Sequence, residues 1–422
     1  MLALIESVSK RIFVMATLHF VPQHEEDQVY SISGKALKLT TNDDIKPYLK
    51  ELVELKMCTK LDFSGNTIGT EASEALAKCI SDNAQVRNSL VEVNFADLYT
   101  SRLVDEVVDS LKFLLPVLLK CPNLEIVNLS DNAFGLRTIE SLENYIANAV
   151  NIKHLILSNN GMGPFAGERI GKALFHLAQN KKSASKPFLE TFICGRNRLE
   201  NGSAVYLALG LKSHADGLKV VKLYQNGIRP KGVATLIHYG LQHLHGLEIL
   251  DLQDNTFTKH ASLILAKALP IWKDSLYELN LNDCLLKTAG SDEVFKVFTQ
   301  VKFSNLHVLK FEYNEMVQST LETSFLPAME KGNLPELEKL EINGNRLEED
   351  SDALDLLQGK FDDLEIDDLE ELDSEDEEEE EDEEDEDEDE KLEEIETERL
   401  EKELLEAQVD DLAGRLAETE IK

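Results

Sequence analysis

The chain has 422 residues, 42% of them hydrophobic, and a formal net charge of −37. That length buries a large core, but the charge is too lopsided to be spread evenly over one compact body. Residues 361–422 carry −30 and the first 360 residues only −7, so a nearly balanced globular body is joined to an acidic tail. No apolar run approaches the ~20 residues that span a bilayer. Cys58, Cys79, Cys121, Cys194 and Cys284 are widely spaced, odd in number and free of C-x-x-C pairs. They suit a reducing compartment without structural disulfides or zinc.

In chain order, residues 1–14 (MLALIESVSKRIFV) place an acid before Lys10 and Arg11 and lead into no long apolar core. They read as a doubtful extension, not a targeting signal, with Met15 an alternative start. From residue 29 onward the pattern L-x-x-L-x-L-x-x-N recurs. VYSISGKALKL is a degenerate first unit, followed by LDFSGN ending at Asn66 and LVEVNFADL with Leu98 in the asparagine place. LEIVNLSDN ends at Asn132, IKHLILSNN at Asn160, LETFICGRN at Asn197, LKVVKLYQN at Asn226 and LEILDLQDN at Asn255. LYELNLNDC at Cys284, LHVLKFEYN at Asn314 and LEKLEINGN at Asn345 complete about eleven units.

Each short apolar stretch is followed by a segment of helical period, such as residues 71–80, 166–178 and 259–272. The step from Asn226 to Asn255 to Cys284 is 29 residues, long enough for a full outer helix. The expected fold is an α/β leucine-rich-repeat solenoid over 15–358, a ribonuclease-inhibitor-like crescent with parallel strands on the concave face and helices on the convex face. The ladder asparagines bury their amides to bond backbone groups of neighbouring coils. Longer steps, Leu98 to Asn132 and Asn160 to Asn197, mark insertions, and QNKKSASKPF (179–188) reads as a mobile, basic loop.

Residues just before the ladder form a column: Gly65, Asp97, Asp131, Asn159, Arg196, Gln225, Asp254, Asp283, Tyr313 and Gly344. A solvated edge is polar too, but a continuous stripe of directional hydrogen-bonding groups suits a protein-binding surface. Nearby, Thr100 and Ser101 read as helix N-caps, with Asp105 and Glu106 at the positive end of the helix dipole. Arg102 is the wrong sign for that place. Either it pairs with Asp97, Asp105 or Asp131, or it is held out for a partner. Arg196 and Arg198 are likewise partner contacts or pair with Asp131 and Asp254.

The long repeats carrying NLSDNAFG, LSNNGMGP, CGRNRLENGS, YQNGIRPKG and LDLQDNTFT, followed by an acidic tail, resemble the fungal Ran GTPase-activating protein (RanGAP) family over nearly the whole chain from Met15. The resemblance implies a protein that binds GTP-bound Ran, with a Ran-binding protein as a possible third component, and accelerates GTP hydrolysis in support of nucleocytoplasmic transport. It implies cytoplasmic location, with shuttling or placement at the nuclear envelope as variants. By it, Asn159 matches the asparagine that contacts Ran's catalytic glutamine, and Arg102 matches a functionally required arginine that is not inserted as a finger. Val104 departs from a relative that has a basic residue there. The remaining column members, Asp97, Asp131, Gln225, Asp254 and Asp283, with Arg196 and Arg198, are the expected partner contacts.

GMGPFAG (161–167) reads as turn chemistry, not a phosphate loop. Gly34-Lys35 and Gly171-Lys172 lack the rest of a P-loop, and His243 with His245 lacks further metal ligands. No self-sufficient catalytic set is visible, so the chain reads as an activator, not an enzyme, a monomer without cofactor, metal, nucleic-acid or membrane partner. Sixteen successive acids, Glu375 to Glu390, place a disordered segment over 359–390. Residues 391–422 read as an amphipathic helix with Leu405, Val409, Leu412 and Leu416 on one side. An acidic histone-binding leucine-rich-repeat protein is the alternative; its shorter repeats fit the 29-residue step less well.

Overall fold

The computed structural model describes residues 18–361, 363–366, 369 and 399–406. Residues 1–14, most of the acidic segment, and Val409, Leu412 and Leu416 lie outside the described residues. Eleven three-residue strands, from Val29–Ser31 to Lys339–Glu341, form one sheet in which every strand pairs in parallel with the next in sequence. The middle residues of successive strands lie in register, Leu61 beside Val93, Val127, Leu155, Phe192, Val221, Leu250, Leu279, Leu309 and Leu340. All are buried. They face the helices, because alternate residues of a strand point to opposite sides. Each such side chain contributes about 1.5–3 kcal/mol by leaving water.

The helices Thr70–Asp82, Val104–Leu118, Ile139–Asn148, Gly163–Ser183, Ala204–Lys212, Pro230–Tyr239, Thr258–Ala268 and Lys287–Gln300 follow their strands in turn. Paired strands sit about 4.8 Å apart, whereas packed helices need about 8–10 Å. The helical layer is therefore the longer one, and the stack bends with the sheet inside.

The ladder asparagines hold the coils together as expected. Asn160 accepts from the backbone N–H of Asn132 through Oδ1 (2.8 Å) and donates through Nδ2 to the carbonyls of Leu129 (3.0 Å) and Leu157 (2.9 Å). Leu157 O also accepts from Asn197, so successive asparagines share each carbonyl. Leu98 keeps the register by donating its N–H to Asn132 Oδ1 at 2.7 Å. Cys284 donates its thiol to Leu252 O, and its N–H reaches Asn314 Oδ1 at 3.0 Å.

Three local expectations are corrected. The helix at Val104–Leu118 takes Leu103, not Thr100 or Ser101, as its N-cap residue, with Glu106 accepting from the Leu103 N–H at 3.0 Å. The Thr100 hydroxyl donates to Asp97 instead, and Ser101 has a φ of 67° that no helix entry needs. Residues 179–183 continue the helix Gly163–Ser183, so the insertion is anchored and not a mobile loop. Its anchor is Lys181, wholly buried, whose ammonium donates to the carbonyls of Val150 (3.0 Å), Pro187 (3.0 Å) and Ile152. The third correction concerns the partners of Arg102, given with the site below.

Burial pulls the Lys181 pKa down to about 8 from 10.5. Between these values the unfolded chain binds more protons than the fold, so stability rises with pH across that window and is flat below it. Lys181→Met should lower the melting temperature, because the buried Ile152 carbonyl and the part-buried carbonyls of Val150 and Pro187 lose their donor. It should also remove this group's share of the rise between pH 8 and 10.5, measured by thermal melts across that range.

The helical residues 399–406 dock on the outer layer: Leu400 and Leu404 pack on Phe175, Leu209, Val205 and Tyr206, and Glu401 pairs with Lys212 at 3.0 Å. Leu405, the first residue of the expected apolar side, is exposed.

Candidate functional site

Every column residue adopts a left-handed backbone: φ is 49° at Asp97, 61° at Asp131, 55° at Asn159 and Arg196, and 54° at Gln225, Asp254 and Asp283. Gly34, Gly65 and Gly344 share it, and Gly34 supplies the member of the first, degenerate repeat. The conformation costs an L-residue roughly 1–2 kcal/mol, least for Asn and Asp and nothing for Gly. This is a cause of the Asp/Asn/Gly content that polarity alone did not suggest. It leaves Arg196, Gln225 and Tyr313 unexplained.

The turn is held from behind, because the N–H of each column residue from Gly65 to Tyr313 donates to a carbonyl of the next repeat. Asp131 reaches Ser158, Asn159 reaches Gly195 and Arg196 reaches Tyr224, all at 2.9 Å. The backbone is fixed while the side chain stands at the ends of the strands, where open parallel sheets commonly bind their ligands. Beneath the Asn159 turn, Tyr224 donates to Ser158 Oγ at 3.1 Å. Gly195 leaves room for that ring, since a Cβ there would lie 2.4 Å from it.

Asn159 is exposed, and its Nδ2 donates to Asp131 Oδ1 at 2.8 Å. An ionised carboxylate only accepts, so Asp131 fixes which way the Asn159 amide faces and turns its carbonyl oxygen outward. The Asp131 pKa is raised, chiefly because its surroundings desolvate the carboxyl even though the residue keeps an exposed side. The Asn159 hydrogen bond opposes that rise, Asp97 adds to it and Arg196 opposes it.

Asp97, Asp131, Asn159 and Arg196 line one cavity of about 680 Å³ on the inner face, together with Tyr224 and the N-terminal residues Leu18, Phe20, Val21 and Pro22. Arg198 and Gln225 line a separate depression of about 590 Å³ with Glu200 and Arg229. Asp254 and Asp283 lie farther along the column, and the Asp283 pKa is raised by burial first and by Asp254 second. Among the described residues no ion pair joins Arg196 or Arg198 to Asp131 or Asp254.

Arg102 does not pair with Asp97, Asp105 or Asp131. Its Nε donates to Thr67 Oγ1 (2.9 Å), its Nη2 to Thr40 Oγ1 (3.0 Å) and Thr67 O (3.3 Å), and its Nη1 lies 3.7 Å from Glu106. Asp105 pairs with Arg137. The Arg102 side chain is only 10% exposed and ties three repeats together along the rim. Its partners lie 62 and 35 residues away, outside the reach of local patterns.

Sequence reasoning also missed a charged cluster farther along the inner face. There Lys310 pairs with Glu278 at 3.1 Å, and Asn282 donates to Glu312 and Glu341, each at 3.0 Å. Burial raises the pKa of the neighbouring Asp251 to about 6, with Lys222 opposing. Among the described residues no group of His, Cys, Asp and Glu is arranged to hold a metal, and no helix is long and apolar enough to cross a membrane.

No family model matches the chain. It is 91% identical over 408 residues to Ran GTPase-activating protein 1 of Saccharomyces cerevisiae, covering 97% of this chain and 100% of that protein. Ran GTPase-activating protein 2 of Caenorhabditis elegans is 36% identical over 217 residues, 50% of this chain and 22% of that protein. A solved TLR13–ssRNA13 complex is similar at a TM-score of 0.35 and 16% identity, over 71% of this chain and 41% of that one, too distant to bear on fold or function. At 91% identity over the full length of the yeast protein, the chain belongs to the Ran GTPase-activating protein family.

Proposed function

We propose that this chain, a GTPase-activating protein for Ran, works by positioning Ran's catalytic glutamine through Asn159 and inserts no arginine finger. GTP hydrolysis by a GTPase of this class needs a glutamine to orient the attacking water. With Nδ2 of Asn159 committed to Asp131, the outward Oδ1 accepts from the glutamine's amide N–H. The glutamine's own oxygen is then left to accept a hydrogen bond from the attacking water and so orient it. This is catalysis by orientation on a rigid turn.

The single observation that carries the reading is the 2.8 Å bond from Asn159 to Asp131, which gives an exposed amide one fixed outward face. Arg102 supports it from the other side. With its Nε and Nη2 occupied by threonines of two earlier repeats, it is a brace of the rim and a positioning residue. Asp97 and Arg196 flank the amide as contacts for Ran, with Arg198, Gln225, Asp254 and Asp283 extending the contact along the column. In this reading the chain is not itself an enzyme and acts as a monomer on GTP-bound Ran in the cytoplasm.

The test is single-turnover hydrolysis by GTP-loaded Ran. Asp131→Ala should slow the activated rate about ten- to a hundredfold, the kinetic equivalent of one charge-assisted hydrogen bond of about 1.5–3 kcal/mol. Asp131→Asn, which still accepts through its own Oδ1, should recover most of it. In the wild type, protonating Asp131 leaves only a neutral acceptor that can also donate, so activity should fall partway, toward the Asp131→Asn rate, as pH drops through the raised Asp131 pKa, and that limb should be absent in Asp131→Asn. Equal rates for wild type and Asp131→Ala would remove Asp131 from the mechanism.

A further inference from the structure

The inner face of the sheet is uneven. Near its first repeats it carries Lys60, Asp62 and Glu92, and toward its end Asp251, Glu278, Lys310 and Glu341. Between them the same positions hold Ile126, Ile156 and Ile193 beside Asn128, His154 and Thr191. Apolar side chains on that face need a cover, and the segment from Leu18 to His24 supplies it. Leu18 packs on Ile156, Ile193 and Tyr224. Phe20 meets the His154 ring edge-on at 5.0 Å. His24 bonds Glu92 through Nε2 (2.9 Å) and Thr59 through Nδ1 (3.0 Å). The segment thus crosses the strands against their order and is fastened at both ends.

Between the fastenings, Phe20 is 37% and Val21 87% exposed, and both line the cavity that also holds Asp97, Asp131 and Asn159. At 87% exposure Val21 covers little of the sheet, so covering the isoleucines does not account for it. A protein whose side chain reaches Asn159 sits over this same cavity.

We infer that Leu18, Phe20, Val21 and Pro22 form the apolar part of the groove that receives Ran, which they line together with Asp97, Asp131 and Arg196. The inference rests on the Asn159 reading for the place of contact. Its occupant is a loop of Ran presenting an apolar side chain to Phe20 and Val21 and polar groups to the mixed charges of Asp97, Asp131 and Arg196, which line the same cavity.

Val21→Asp tests this in the full chain, because a side chain so exposed bears little on folding. Expected are an unchanged melting temperature, an unchanged rate at saturating GTP-loaded Ran, and a KM raised about tenfold, the size of a single interface contact. Leu356→Asp, at an apolar residue 57% exposed in the helix Asp352–Gln358, should leave KM unchanged. A wild-type KM for Val21→Asp overturns the inference. So does a KM that stays put while sedimentation shows a changed oligomeric state, which would make a second copy the occupant. Asn159→Ala run alongside separates the two readings: loss of its saturating rate with a normal Val21→Asp KM defeats only the groove, and an unaffected rate defeats the Asn159 mechanism.

Discussion

Asn159→Ala should leave the melting temperature of the chain essentially unchanged and lower the activated rate of GTP hydrolysis by Ran about a hundredfold, the scale of misplacing one reacting group by about an ångström. The side chain is exposed, and its one hydrogen bond among the described residues goes to Asp131 at a position open to water. Removing it therefore orphans no buried group. The backbone of the turn survives, since the N–H of residue 159 still reaches Gly195 O. Alanine does meet the strain of φ 55°, which asparagine tolerates better, and that costs at most about 1 kcal/mol. Single-turnover kinetics at saturating chain, with a thermal melt of the same preparation, decides it. A rate within about twofold of wild type, well short of the loss expected from misplacement, would mean that Asn159 has no part in positioning the glutamine.

The adjacent substitution should do the reverse. Asn160→Ala is expected to destabilise the chain by about 3 kcal/mol, because the buried N–H of Asn132 loses its acceptor. The loss stops short of three orphaned groups because of the shared carbonyls: Leu129 O keeps the donor from Asn132, and Leu157 O keeps the one from Asn197. Damage in a solenoid passes mainly to nearest neighbours, so hydrogen exchange should quicken around strands Ile126–Asn128 and Thr191–Ile193 more than at either end. Chemical denaturation gives the magnitude. A loss below about 1 kcal/mol, the net worth of an ordinary hydrogen bond, would show that the ladder is redundant at this repeat. With the expected loss, the two consecutive asparagines are distinguished by opposite readouts, one in rate and one in stability.

The repeat register was legible because its cause is local and recurs: apolar alternation, a buried amide and a helix every 29 residues or so. Asn159 was legible through its place in the column and the family resemblance, whereas its left-handed backbone was not. The column was found but its composition was misread, since aspartate, asparagine and glycine serve a left-handed turn as well as they serve a wet edge. The partners of Arg102 were illegible for a different reason. Local charge favoured Asp97 and Asp105, yet stacking the repeats brings up the hydroxyls of Thr40 and Thr67, and only the assembled rim decides. Lys181 misled through its type, as a lysine in a basic loop reads as solvated until three carbonyls converge on it. The covering segment at Leu18 to His24 left no trace in the repeat pattern because it belongs to no repeat.

The locked turns also act as a ruler. Side chains in the column recur once per strand, about every 4.8 Å, whereas an extended peptide advances about 3.3 Å per residue. The two scales fall out of step after one or two contacts, so a flexible strand laid along this edge cannot satisfy successive positions. Only a surface whose own groups are already set at the wider pitch can engage several of them at once, which favours a folded domain over an unfolded tail.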